Sequence, residues 1–157
     1  MAYEQLKLEN QLCFPVYAAS RLITREYQPF LDELGITYPQ YLVLMVLWEN
    51  DNLTVNDIAK KLILNTNTIT PLLKRMEQQG LIVRQRSQAD ERKVLVKITG
   101  QGIDLQEKAS GIPQELTRRL AESEMKLDDL LKLKESLNAV IAFLTDEKNR
   151  SNGKTDG

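Results

Sequence analysis

Apolar residues recur at three- and four-residue steps through Leu12, Val16, Ala19, Ile23, Tyr27, Phe30 and Leu34, a spacing that predicts a long amphipathic helix ending at Gly35. Pro15 either sits close to the first turn of a helix that starts near Leu12 or kinks the helix beside Cys13; Pro29 marks a second kink or a break. Thr37-Tyr38-Pro39-Gln40 has capping-box spacing, and the apolar run from Tyr41 to Trp48 continues it as a core helix. Thr54-Val55-Asn56-Asp57 caps a third helix with Ile58, Ala59 and Leu62 on one face. Asn65 to Thr68 open a fourth, with Ile69, Leu72, Leu73 and Met76 inward and Gly80 as its stop; Pro71 implies a start only shortly before it.

The period then changes. Leu81 to Arg86 and Lys93 to Thr99 read as two strands, the second alternating Val94, Val96 and Ile98 with charged residues, and Ser87 to Glu91 form the tip between them. Two short helices followed by a β-ribbon make the winged form of the helix-turn-helix, so residues 37–99 are expected to bind DNA and the fold class is mainly α with a small β-wing. Beyond Gly100 and Gly102 a helix runs from about Ile103 toward Ser110, Pro113 marks a bend or restart, and a last helix carries Leu127, Leu130, Leu131, Leu137, Ile141 and Leu144. These flanks are more apolar than one small module needs. They predict that residues 5–34 and 103–145 are dimerisation helices pairing with a second copy, rather than an intrachain bundle, within a single domain of residues 1–145 followed by a flexible tail, 146–157.

Charge sharpens the expectation only when it is divided by region. The 157 residues carry a net charge of -1, yet residues 53–99 hold nine basic against four acidic side chains and the remainder twelve against eighteen. A basic module in an acidic frame is a patch suited to phosphates. A 42% hydrophobic share is that of an ordinary soluble protein, no apolar run approaches the ~20 residues of a membrane helix, and Glu4, Lys7 and Glu9 interrupt any signal-like segment, so a cytoplasmic location without membrane contact is expected. One cysteine and no histidine exclude an intrachain disulfide, a Cys/His zinc site and a histidine general base. No ligand-spaced acidic cluster stands in their place, so neither a metal, a cofactor nor an enzymatic activity is expected.

On the fourth helix the outward positions are Thr66, Asn67, Thr68, Thr70, Lys74 and Arg75. Asn pairs bidentately with adenine, Thr offers a hydroxyl and a methyl, and the two cations reach phosphates or guanines; the simpler reading is a Thr/Asn cluster that only caps the helix. At the tip, Asp90 stands two residues before Arg92 and can brace its guanidinium for a narrow minor groove, while Arg84 and Arg86 on the preceding strand would meet phosphates. An exposed hairpin ion pair is the alternative for Asp90 and Arg92.

The stretch ITPLLKRMEQQGLIVRQRSQADERKVLVKIT resembles the recognition helix and wing of the MarR family of regulators, and LENQLCFPVYAASR with ITYPQYLVLMVLWE resembles its organic-hydroperoxide-sensing, OhrR-type branch. The resemblance covers roughly residues 6 to 110. It implies a homodimeric winged helix-turn-helix repressor on a pseudo-palindromic double-stranded DNA operator, with Cys13 as the peroxide sensor, Tyr27 and Tyr38 as the tyrosines that hydrogen-bond it, and Tyr17 as a third candidate. The chemistry agrees, because thiolate is the reactive species and backbone donors at a helix start favour it. With no second cysteine, an organic hydroperoxide would take Cys13 to the sulfenic acid, and a small external thiol or a backbone nitrogen would resolve it. The chain departs from the branch in Asn65-Thr66-Asn67, where an Asp-Ser-Gly-like start is common, and in Pro15, two residues past the sensor. Two rival functions remain at this stage: a regulator that answers a small aromatic ligand, with Cys13 structural, and a thiol peroxidase, which would lack a resolving cysteine.

Overall fold

The computed structural model describes residues 3–146. Contacts divide the described residues into two compact units, which part between Ile112 and Pro113. In the first, two short 3₁₀ turns, Glu4–Leu6 and Leu8–Asn10, precede the helices α1 (Cys13–Leu34) and α2 (Tyr38–Glu49). Strand β1 (Leu53–Thr54) leads into α3 (Val55–Leu62) and α4 (Thr66–Gln78); strands β2 (Ile82–Arg86) and β3 (Val94–Ile98) follow, then α5 (Gly100–Ala109). Helix α6 (Ile112–Ala121) starts at the division between the units, and α7 (Leu127–Thr145) lies wholly in the second. Past Asp146 the expected tail falls outside the described residues.

The helix ends follow the capping chemistry. Gly35 adopts the left-handed conformation that closes α1, at φ +68°, and Gly80 does the same beyond α4, at φ +76°. Thr37 caps α2 reciprocally with Gln40, and Thr54 caps α3 with Asp57. Pro15 is the third residue of α1, inside the first turn, so the helix starts at Cys13 without a kink there. Pro29 lies inside a continuous α1, so it does not break the helix, whereas Pro71 departs from the expectation as the sixth residue of α4, not one near its start. Both are exposed, as are Arg25 and Asn67 four residues before them, so water can satisfy the carbonyls the prolines leave unpaired.

The sheet has the order β1-β3-β2, antiparallel throughout, with Ile82 opposite Ile98, Arg86 opposite Val94 and Leu53 opposite Val96. Strand β1 escapes any pattern because two residues cannot show a period of two. Helix α5 begins three residues before Ile103 because the Thr99 hydroxyl accepts from the Gly102 amide at 3.2 Å and caps it there. The core gathers Leu31 of α1, Val43, Leu44 and Leu47 of α2, Ile58 of α3, Ile69, Leu73 and Met76 of α4, and Ile82 and Val96 of the sheet. Thus α4 and the β-ribbon stand on one core and present their polar faces outward.

The beginning of α1 is different. Leu12 just before it and Phe14, Val16, Tyr17 and Leu22 within it are exposed, Leu12 at 86%. In the second unit α7 buries no residue and exposes Leu127, Leu131, Leu133, Val140, Ile141, Phe143 and Leu144. Among the described residues no helix is long and apolar enough to cross a membrane, and no three side chains are grouped to hold a metal.

Candidate nucleic-acid interface and thiol site

Helix α4 buries Ile69, Leu72, Leu73 and Met76, and its period leaves Thr66, Asn67, Thr68, Thr70, Lys74 and Arg75 exposed. Thr66, Thr70 and Lys74 follow at four-residue steps and form one outward row. Thr68 has a local task as well: its amide donates to Asn65 Oδ1 at 2.9 Å and its hydroxyl donates to the same oxygen at 3.1 Å. Its remaining lone pairs and methyl are what it can offer a base edge.

The wing tip is held by its own polar groups. The Ser87 amide donates to Lys93 O at 2.9 Å, the Lys93 amide to Asp90 O at 2.9 Å, and Arg86 Nη1 to Glu91 O at 3.2 Å. Asp90 Oδ1 accepts from the Arg92 amide at 3.1 Å and from Arg92 Nε at 3.2 Å. The Arg92 amide, then its side chain, hold the Asp90 carboxyl below its usual range. Arg92 itself is 91% exposed, so it is a braced cation presented to solvent at the end of a ribbon.

Arg84 lies on β2 as expected but has a partner within the chain that the sequence did not indicate. Its amide donates to Glu77 Oε2 at 2.7 Å and its guanidinium pairs with Glu77 Oε1 at 3.2 Å, which fastens β2 to α4. The Arg84 amide and side chain together hold Glu77 below the usual carboxylate range. Thr66, Thr70, Arg84 and Arg92 nevertheless line one cleft of about 230 Å³ between α4 and the wing, together with Thr54, Val55, Asn56, Lys93 and Val94. Asn56 and Lys93 are additions to the expected set. The Thr54-x-x-Asp57 box could have indicated Asn56, because it puts that residue in the exposed first turn of α3.

Cys13 is exposed as the first residue of α1. Tyr17, one turn on, is exposed and carries Arg21 over its ring at 4.8 Å. Tyr27 and Tyr38 meet where the end of α1 packs on the start of α2, with ring centroids 4.9 Å apart, and Tyr41 lies 5.9 Å from Tyr27. Burial, followed by the neighbouring phenols of Tyr38 and Tyr41, pushes the Tyr27 hydroxyl up to about 12, and burial also raises Tyr38 and Tyr41. All three are therefore neutral donors at physiological pH. The fourteen residues from Cys13 to Tyr27 along one helix correspond to about 21 Å at 1.5 Å per residue, so within a chain the thiol and the tyrosine pair are separate. Geometry brings Tyr27 and Tyr38 together and leaves Cys13 and Tyr17 apart from them.

Comparison with known proteins agrees with this architecture. Residues 25–109 match the family described as transcriptional regulator SarA/Rot. The chain is 50% identical over 142 residues to the organic hydroperoxide resistance transcriptional regulator of Bacillus subtilis, covering 90% of this chain and 95% of that one. It is similar to the structure of reduced AbfR bound to DNA, with a TM-score of 0.72 and 38% identity over 91% of this chain and 98% of that one. The crystal structure of AbfR of Staphylococcus epidermidis gives a TM-score of 0.70 and 39% identity over 90% and 95% of the two chains.

Proposed function

The chain belongs to the MarR family of transcriptional regulators, in the branch of the organic hydroperoxide resistance regulators, and on that premise we propose that it is a homodimeric repressor released from DNA when Cys13 is oxidised. In this reading α4 enters the major groove, with Thr66, Asn67, Thr70, Lys74 and Arg75 toward base edges and phosphates. Arg92, braced by Asp90, reaches the flanking minor groove, and Arg86 meets the backbone. A two-fold dimer presents two such heads to a pseudo-palindromic operator. The exposed apolar residues at the start of α1 and along α7 are the surfaces for that pairing.

The observation that carries the sensing half is the separation of about 21 Å between Cys13 and a tyrosine pair of raised pKa. Two-fold pairing of the first helices resolves it: each Cys13 faces Tyr27 and Tyr38 of the other copy, whose neutral hydroxyls donate to the thiolate without adding charge. Among the described residues neither phenol oxygen already has a partner in its own chain. The thiolate attacks the distal oxygen of an organic hydroperoxide, the O–O bond breaks, and a proton is taken up to give sulfenic acid and an alcohol. A small thiol then displaces water and leaves a mixed disulfide on Cys13. The enlarged sulfur no longer fits between the helices and the tyrosines, and the spacing of the two heads shifts.

Titrating cumene hydroperoxide, with and without a small thiol, against a protein–operator complex tests this. Wild type is expected to be released and Cys13→Ser to stay bound. Release of Cys13→Ser by the hydroperoxide would refute the assignment, and release by a phenolic ligand alone would favour a ligand-responsive regulator.

A further inference from the structure

Gln40 is the one buried polar residue among those described, at 3% exposure. Its backbone amide donates to Thr37 Oγ1 at 3.4 Å, and its side-chain Oε1 accepts from the Thr37 amide at 3.0 Å, completing the cap of α2. Such a cap uses only the oxygen of the amide. The nitrogen is directed elsewhere: Gln40 Nε2 donates to Gln79 Oε1 at 2.8 Å, 39 residues away in sequence. Gln79 is the C-cap of α4; its Nε2 donates to Gly35 O at 3.4 Å at the end of α1, and its carbonyl accepts from Gln101 Nε2 at 3.4 Å at the start of α5. Four helix ends therefore converge on two glutamines.

We propose that the Gln40–Gln79 pair is a relay that couples the Tyr27–Tyr38 cluster to the DNA-reading helix, with both glutamines acting as positioning residues. Tyr38 is the first residue of α2, two before Gln40, and its ring rests on Tyr27. A displacement of Tyr38 moves the first turn of α2 and the buried amide with it. Because a buried N–H left without an acceptor is unfavourable, the C-terminal end of α4 follows rather than parting from it. A leucine or methionine would fill the Gln40 site with less desolvation, so the amide is better explained by specifying this register than by adding stability. The inference rests on the thiol-switch reading for its input, but the coupling itself belongs to the reduced, DNA-bound protein too, since linkage runs both ways.

The test compares wild type with Gln79→Met, an exposed site outside the DNA-reading set, and Gln40→Met, using a duplex selected by the reduced protein from a randomised pool. One readout is the ratio of Kd after and before cumene hydroperoxide with a small thiol. The other is amide exchange over residues 36–41 with and without the duplex. The relay predicts that both variants hold the duplex within about twofold of wild type when reduced, while the ratio falls about fivefold, the equivalent of one hydrogen bond of coupling. It also predicts that duplex-induced protection of 36–41, seen in wild type, disappears in the variants. Unchanged ratio and unchanged protection in both variants would overturn it. If hydroperoxide fails to release even wild type, the sensor reading fails and exchange alone decides the relay: protection lost in the variants upholds it, and protection retained in them, or absent from wild type, overturns it.

Discussion

Gly102→Ala tests whether the wing and α5 are packed as closely as the structure requires. A Cβ on Gly102 would lie 2.5 Å from Leu81 O and 2.7 Å from Ile98 Cγ1. Neither neighbour yields easily, because Leu81 O already accepts from the Thr99 amide at 3.0 Å and Ile98 is buried in the sheet. Overpacking of this kind costs about 1–3 kcal/mol, against a gain of up to about 1 kcal/mol from replacing a helical glycine, so the net loss spans about 0–3 kcal/mol, with about 1–2 kcal/mol as the central expectation. Gly100→Ala, two residues earlier in the same turn, meets nothing within 4 Å and serves as the control; it should be neutral or slightly stabilising. The reporter is built in. The single tryptophan, Trp48, donates from Nε1 to Gly102 O at 3.0 Å, so its emission reads the same contact. In urea unfolding at fixed protein concentration, a slope of about 2 kcal/mol per molar places the Gly102→Ala midpoint about 0.5–1 M below wild type. A midpoint equal to or above that of Gly100→Ala would show that α5 does not pack on β3 as described.

Further outcomes follow from the site. Arg92→Ala should weaken operator binding about tenfold and reduce the slope of log K against log salt by about 0.9 if Arg92 neutralises one phosphate, as read by fluorescence anisotropy across a salt series; an unchanged affinity and slope would remove the wing tip from the interface. Tyr27 should ionise near pH 12 by difference absorbance, and Tyr27→Phe should remove that step. Because its folded pKa lies above the unfolded value near 10, its contribution to stability is complete below pH 10 and is lost as pH rises toward 12, so wild type should lose stability over that interval more steeply than Tyr27→Phe. Ile63 closes α3 in the left-handed region, at φ 57° with 57% exposure, a conformation that disfavours a β-branched side chain. Ile63→Asn should therefore raise stability by up to about 1 kcal/mol in thermal unfolding, and a loss would mean that its side chain has a packing role.

Elements with a long period or explicit caps were legible in the sequence. The Thr37 and Thr54 boxes, the Gly35 and Gly80 stops and the alternation of Val94, Val96 and Ile98 all carry local signals, and the structure places them as expected. The misses are tertiary. Nothing local distinguishes an exposed interior proline such as Pro71 from one in a first turn, since the difference lies in whether water reaches the preceding carbonyl. Arg84 carries the same chemistry as Arg92, and only the register of β2 against α4 gives it Glu77 as a partner. The Gln40–Gln79 contact spans 39 positions, beyond any pattern read along the chain. Charge, by contrast, was informative once it was divided by segment, because seven of the nine basic residues of 53–99 lie on α4 and the β2–β3 ribbon, the other two, Lys60 and Lys61, being on α3.

The central claim is that each Cys13 is activated by tyrosines of the other copy. Mixed dimers that pair a Cys13→Ser chain with a Tyr27→Phe, Tyr38→Phe chain contain one complete site if thiol and tyrosines meet across the two-fold axis, and none if they meet within a chain. Oxidation of the single remaining Cys13 by cumene hydroperoxide, followed by trapping of the sulfenic acid, should proceed at the wild-type rate per thiol in the mixed dimer and markedly slower in the Tyr27→Phe, Tyr38→Phe homodimer. Equal slow rates in both would contradict the account.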